Sequence, residues 1–289
     1  MSLSHIVESV CLDDLARNPH LTKEVQSHLI RLGFLDPPAD GKFGAFSVQA
    51  LKNLQKRMRI NESDLGKRTV EYLLGLDRDI LFDLGNDFAS RIVKYMLFKK
   101  YFVSIGPRRY NVVYVEGANI DGKPNKDKMN QWNDRGIVFE IPQQAKPVML
   151  DNSAATTEPG WTYTSRPLNR DGAFRISFGQ YKAWKVGVHK DHEALVQAAP
   201  ITGYRDRNKD GFRTGDPIVR GTYGINQHWG GDAAEVGPWS AGCLVRQSRQ
   251  NHRNFMKILK GDERYELNSN YVFLTTIIPG DELAKIFPG

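Results

Sequence analysis

Apolar residues in the first quarter of the chain recur every three or four positions, the spacing of a helix buried on one face. Val25, Leu29 and Leu32 form one such stripe, and Gly33 is placed to end it. Val48, Leu51 and Leu54 form a second, with Ser47 as its candidate N-cap. Val70, Leu73 and Leu74 mark a third, shorter helix. The intervening Asp36-Pro37-Pro38-Ala39-Asp40-Gly41 is dense in turn-forming residues. Residues 17–78 are therefore expected to form a small helical bundle. A connecting segment, 79–106, contains an amphipathic stripe of Phe88, Ile92, Tyr95 and Met96, which predicts a helix over 86–102.

After Arg109 the period changes. Segments 110–116, 136–141, 173–178, 183–188 and 271–278 are rich in β-branched and aromatic residues and bounded by turn residues, as strands are. Polar loops are expected over 119–134 and 151–171, and a helix over 249–259. The expected fold class is α+β: a small N-terminal helical bundle followed by a mostly β domain over 107–289.

Bulk properties narrow the partners. The 289 residues suffice for two domains, and 40% hydrophobic with 25% charged residues is an ordinary globular balance. Forty basic against 33 acidic residues give a net charge of +7, which suits an anionic polymer. The charge is spread without a basic block, which argues against nucleic acid. No apolar run has the length of a transmembrane segment; the stretch 88–103 is broken by Arg91, Lys94, Lys99 and Lys100. The N-terminus shows no basic region followed by an apolar run, so no secretory signal is expected and the export route, phage-type release included, stays open. The pattern is silent on oligomeric state. Cys11 and Cys243 read as two free thiols.

Candidate chemistry centres on Cys243 in Trp239-Ser240-Ala241-Gly242-Cys243-Leu244, with His228 fifteen residues earlier. A thiolate is a strong acyl nucleophile, and a histidine is a common group to generate it near neutral pH. Ser240 could fix the turn or donate a hydrogen bond, and the Gly242 and Cys243 amides are natural donors to an oxyanion. A lone cysteine is more often a small buried hydrophobe, so the surrounding residues decide the matter. Gly221-Thr-Tyr-Gly-Ile-Asn-Gln-His228, a glycine-rich loop and then Ser240-Ala-Gly-Cys243-Leu resemble the catalytic motif of the L,D-transpeptidases. Three positions depart from that motif. Ala241 stands where histidine is common, Trp229 where glycine is common, and Val245 where arginine is common, with Arg246 one position late. The resemblance implies a mostly β catalytic domain acting on peptidoglycan stem peptides through a thioester. Tyr223, Trp229, Trp239 and Arg246 are the expected substrate contacts.

The helical segment carries a second resemblance. Val25-Gln26, Leu29, Leu32-Gly33-Phe34-Leu35, Asp40-Gly41-Lys42-Phe43-Gly44, Val48, Ala50-Leu51 and Leu54-Gln55 are similar to the peptidoglycan-binding three-helix module. It implies that Asp40, Gly41, Phe43 and Gly44 form the wall-binding core. Together the resemblances imply a cysteine-dependent peptidoglycan transpeptidase, with peptidoglycan as partner, action at the wall or periplasm, and no cofactor for catalysis. A peptidase or endolysin that passes the acyl group to water is the near alternative, and a non-catalytic wall-binding protein is the third.

Two further patterns suggest metals. Asp206, Asn208 and Asp210, then glycine and the Phe212 carbonyl, match the first half of a calcium loop, with Asp216 as a further oxygen donor. Position twelve is Pro217 rather than glutamate, a departure from the full calcium loop. Any ion here would be structural, because a hard cation well away from the sulfur adds little to thiolate catalysis. His189, His192 and Glu193 do not have the spacing of a common helical zinc motif and are expected at the surface, although a zinc peptidase using His189, His192 and His228 is a rival reading.

Overall fold

A computed structural model describes residues 2–6, 8–143 and 145–289. The chain divides into two compact units. One comprises Met1–Gly85, Met96–Arg109 and Glu140–Val148; the other comprises Asn86–Tyr95, Tyr110–Phe139 and Met149–Gly289.

The first unit carries helices α1 (Leu12–Ala16), α2 (Pro19–Arg31), α3 (Ala45–Arg57) and α4 (Lys67–Gly75). α2 starts where the Asn18 side chain accepts from the Leu21 N–H and Pro19 occupies the first turn, where its missing donor costs nothing. It ends as the glycine predicts. Gly33 sits at φ +86°, its N–H reaches Ile30 O and the Phe34 N–H reaches Leu29 O, capping the last carbonyls. A Cβ at Gly33 would also lie 2.6 Å from Val103 O. Leu21, Val25 and Leu29 bury one face of α2, and Ala50, Leu51 and Leu54 bury one face of α3. Each of the buried Leu and Val side chains contributes about 1.5–3 kcal/mol through removal from water. Ser47 does not cap α3. Gly44 is the N-cap, and Ser47 lies one turn inside, buried, accepting from Gln26. In α4, Val70 and Leu73 are buried while Leu74 is 42% exposed and off the stripe.

Helix α5 (Phe88–Phe98) is shorter than the amphipathic pattern suggests, because Lys100 turns to φ +59° directly after it. The second unit is built on a closed barrel. Its strands are β1 (Gly106–Glu116), β2 (Asp134–Ile141), β3 (Val148–Thr156), β5 (Gly179–His189), β6 (His192–Gln197), β9 (Gln227–Trp229), β10 (Leu244–Arg246) and β11 (Phe273–Pro279). The order around the barrel is β1-β11-β5-β6-β9-β10-β3-β2. A separate antiparallel sheet holds β7 (Ile201–Asp206) between β4 (Ala173–Ile176) and β8 (Ile218–Gly221). Helices α6 (Trp161–Ser165), α7 (Arg249–Lys260), α8 (Glu263–Leu267) and α9 (Gly280–Ile286) complete it. α7 is capped by Ser248, which accepts from the Gln250 and Asn251 N–H groups, and buries His252, Phe255, Met256 and Leu259.

Part of the expected 151–171 loop is β3. Its polar run Asp151-Asn152-Ser153 hides the strand signal, but β3 pairs with β10, and Asp151 receives the guanidinium of Arg246. Among the described residues no helix is long and apolar enough to cross a membrane.

Candidate active site

Strands β9 and β10 run parallel, with Gln227 opposite Leu244, His228 opposite Val245 and Trp229 opposite Arg246. Asn226 and Cys243 directly precede this ladder, so the Asn226 N–H points at the Cys243 Sγ, 3.4 Å away. Alternation along a strand puts Asn226 and His228 on one face, the face that Cys243 shares. Both Cys243 and His228 line a cleft of about 430 Å³, walled by Phe174, Tyr223, Pro238 and Trp239. Cys243 is 8% exposed and His228 3%.

Burial sets the resting charges. Desolvation pushes the Cys243 thiol up to about 11, against the opposing pull of the Asn226 N–H and Lys190. Desolvation lowers His228 to about 3, and the neighbouring His189, His192 and His252 push the same way. The resting pair is therefore a neutral thiol and a neutral imidazole. The tautomer is fixed: His228 Nδ1 lies 2.8 Å from the Trp229 carbonyl, which only accepts, so Nδ1 carries the hydrogen. Nε2 is left bare as a base.

The turn before the sulfur is tied by Ser240. Its hydroxyl donates to Cys243 O at 2.8 Å and accepts the Gly242 N–H at 3.1 Å. Ser240 is fully buried, so it holds the turn and touches no ligand. The Gly242 amide is thereby consumed, and the expectation that it serves an oxyanion fails. Among the described residues the Cys243 N–H has no hydrogen-bond partner and is the donor that remains. Gly242 is needed for another reason: it sits at φ +121°, and a Cβ there would lie 2.3 Å from Phe174 O.

Tyr223 and Trp239 stand at the cleft as expected. Trp229 and Arg246 do not. Trp229 stacks on His192 at 3.8 Å between ring centroids and lines a different groove with His252 and Arg253. Arg246 has no exposure; it pairs with Asp151 at 3.1 Å, bonds Tyr114 and lies over Phe255. Trp229 sits one residue from cleft-lining His228, and one step along a strand reverses the face; Arg246, opposite Trp229 on β10, shares that reversed face.

His189 and His192 are not surface groups. His189 lines the cleft with its ring stacked on His228 at 4.4 Å, and its Nδ1 accepts from the Asn226 amide at 2.9 Å. His192 is 8% exposed. The rings meet face to face or edge to face, and among the described residues no cluster of three potential ligand atoms includes a histidine. That geometry does not build a zinc centre. Other residues that pattern reading did not single out also line the cleft: Lys190, Phe174 and Arg205. The hairpin turn at His189-Lys190-Asp191 was the available signal for the first; nothing in the strand sequence marks Arg205.

Away from the cleft, the Asp206, Asp210 and Asp216 carboxylates bring oxygens within 4.8 Å of one another. Asp206 accepts the Asp210 and Gly211 N–H groups, and Asp210 accepts the Phe212 N–H and the Asn208 amide. One Asp216 oxygen is buried without a partner, and burial, with Asp206 and Asp210 beside it, raises this carboxyl. The oxygen-rich donor set fits a hard cation. In a second acidic group, Glu116, Asp127 and Glu158 pair with Arg175, Glu116 pairs with Arg213 as well, and Asp134 adjoins Glu116 and Asp127. Burial and mutual repulsion raise Asp127, Asp134 and Glu158, while Arg213 and Arg175 hold Glu116 down against its own burial. The two guanidinium groups already occupy the centre of this second cluster.

In the first unit, Gln26 organises the Asp40–Gly44 loop. Its Nε2 donates to Asp40 Oδ1, Lys42 O and Ser47 Oγ, and its Oε1 accepts the Gly41 N–H at 2.8 Å. Phe43 is buried, and Gly44 caps α3. The four expected wall-binding residues thus build the loop, with Asp40 pointing a carboxylate oxygen inward.

A family profile described as "Putative peptidoglycan binding domain" matches residues 20–71. No curated protein matches the chain. Two solved structures overlap it loosely. One is a fused Zn-dependent amidase/peptidase/peptidoglycan-binding domain-containing protein from Clostridium acetobutylicum, 13% identical, covering 91% of this chain and 97% of that one at a TM-score of 0.29. The other is residues 123–326 of the L,D-transpeptidase from Xylanimonas cellulosilytica, 14% identical, covering 89% and 92% at a TM-score of 0.22. Overlaps that loose carry no argument about this chain, whereas the profile match, together with the α2–α4 bundle, makes residues 20–71 a peptidoglycan-binding-type module.

Proposed function

We propose that the chain is a peptidoglycan-active cysteine acyl enzyme of the L,D-transpeptidase type, working at the cell wall. The observation that carries this reading is the delivery of Cys243 and His228 to the wall of one cleft by adjacent parallel strands, with the His228 hydrogen held on Nδ1. As the sulfur attacks a substrate acyl carbon, the thiol proton passes to His228 Nε2, so no buried ion pair need stand at rest. The oxyanion faces the Cys243 N–H. Collapse breaks the acyl C–N bond, His228 returns its proton to the departing amine, and a thioester remains. An acceptor then loses its proton to His228, attacks the thioester and regenerates the thiol. An amine acceptor gives a crosslink or attachment; water gives peptidase action. Residues 20–71 would hold the enzyme on its polymer, and calcium, if taken up by the Asp206 loop, would be structural.

The test is to incubate purified muropeptides with the wild-type chain, Cys243→Ala and chelator-treated wild type, and to read products by mass spectrometry. Turnover lost in Cys243→Ala and retained with chelator is the expected result. An active Cys243→Ala would overturn the mechanism. Unaltered muropeptides with retained pull-down on insoluble wall would leave a binding protein. Joined peptides mean transfer, and an added water means hydrolysis.

A further inference from the structure

Arg205 is the anomaly of the cleft. It lies on β7 at 9% exposure, and among the described residues it has no acidic partner. The one hydrogen bond of its guanidinium among the described residues is a long one, 3.3 Å to Gly172 O. The rest of the residue is buried, so the fork meets solvent at the cleft, where an arginine this enclosed is ordinarily paired. Two rings hold it instead: the guanidinium carbon lies 4.8 Å from the Tyr223 centroid and 5.5 Å from that of Phe174. This arrangement fixes the plane of the fork and leaves most of its N–H groups uncommitted. The same fork lines the cleft that holds Cys243, and the backbone of Phe174 packs against Gly242, next to the nucleophile. Lys190 adds a second cation to the lining, and no aspartate or glutamate lines the cleft among the described residues.

We propose that Arg205 is the anchor for a carboxylate of the acyl-donor peptide, making a free carboxylate a requirement for productive binding. A carboxylate meets the planar fork with two parallel hydrogen bonds, which a neutral amide cannot reproduce. The inference rests on the acyl-enzyme reading for the identity of the donor, but the binding itself does not require turnover. Two positions on a stem peptide supply this chemistry: the C-terminal carboxylate of the residue that leaves, and the side-chain carboxylate of a diacid residue.

The test uses the full chain carrying Cys243→Ala, so binding is read without chemistry. Three synthetic peptides are titrated by calorimetry: the free acid, the same peptide amidated at its C-terminus, and the same peptide amidated at the diacid side chain. One of the two amides is expected to bind about 10- to 100-fold more weakly than the free acid, and which one identifies the source of the carboxylate. Adding Arg205→Met should weaken the free acid by a similar factor and erase the distinction, with Arg205→Lys intermediate. In the Cys243 enzyme, Arg205→Lys should raise KM more than it lowers kcat, a split that a merely structural residue would not produce. Equal affinity for acid and both amides, or no binding of any of them, overturns the proposal. If Arg205→Met fails to fold, the acid-to-amide comparison in the Cys243→Ala chain still decides. Acid-selective binding by a chain that never turns over muropeptides would uphold the anchor and sink the enzymatic reading alone.

Discussion

The Asp40–Gly44 loop and the Ser240–Cys243 turn are both glycine-marked motifs of similar length, yet they use their polar atoms in opposite ways. In the loop, Asp40 and Gly41 spend hydrogen bonds on Gln26, and Phe43 is buried, so the motif specifies a shape. In the turn, Ser240 consumes the Gly242 amide but leaves the Cys243 N–H uncommitted and the sulfur on a cleft wall, touched by the Asn226 N–H and by Gly224 O at 3.7 Å, so the motif specifies a shape that brings a thiol to a cleft. A recognisable motif locates a conformation; what it leaves at a cleft wall locates the candidate chemistry.

The largest effect should come from the turn. Cys243→Ala is expected to reduce muropeptide turnover by at least about 10³-fold with little change in melting temperature, since a nucleophile has no substitute. Equal turnover would erase the contrast between the two motifs. The counterpart in the loop is Gln26→Leu. It should leave turnover of soluble muropeptides intact while costing the first unit about 2–3 kcal/mol, because the Gly41 N–H and its neighbours lose a buried partner. Chemical denaturation followed by a probe in residues 17–78 measures this, and an unchanged midpoint would show that the loop does not depend on Gln26.

The pH response separates the regions further. With His228 lowered to about 3 and the thiol raised to about 11, both groups keep their working protonation across the neutral range. The kcat/KM profile should therefore be flat between about pH 5 and 9, and iodoacetamide labelling of Cys243 should be slow at pH 7 and accelerate with alkalinity. An acid limb near 6.5 would mean that the base titrates in water. Stability should slope instead. Asp134 and Glu158 are raised in the folded chain, so their protonated forms contribute stability that is complete below the unfolded carboxylate range, about 4, and lost as pH rises through the folded values. Glu158→Gln should flatten that slope in thermal melts between pH 5 and 9. The smallest expected effect is a rise of a few degrees in melting temperature with millimolar calcium, abolished by Asp216→Asn, with kcat unchanged.

Much of this was legible along the chain because local rules governed it. The α2 stripe, its Gly33 terminator and the helix over α7 follow from spacing and capping alone. That Cys243 and His228 line one cleft was legible because short motifs border each residue. What escaped was set by register or by distant strands. Trp229 and Arg246 face away from the cleft because alternation reverses with each residue. His189 and Arg205 reach the cleft from β5 and β7, and no local pattern marks either residue for that place. Strand β3 was hidden because its polar residues meet partners contributed from elsewhere.

Because β9 and β10 lie parallel, the chain must travel back between them, and residues 230–243 make that return. Trp239 rides on this excursion, whereas the thiol and imidazole are anchored at its two ends. Lengthening or rewriting the excursion would remodel one wall of the cleft without disturbing the spacing of Cys243 and His228. On the proposed chemistry, diversification of the ligand wall is thereby uncoupled from the placement of thiol and imidazole, and libraries randomised over 231–238 are the natural place to look for altered preference.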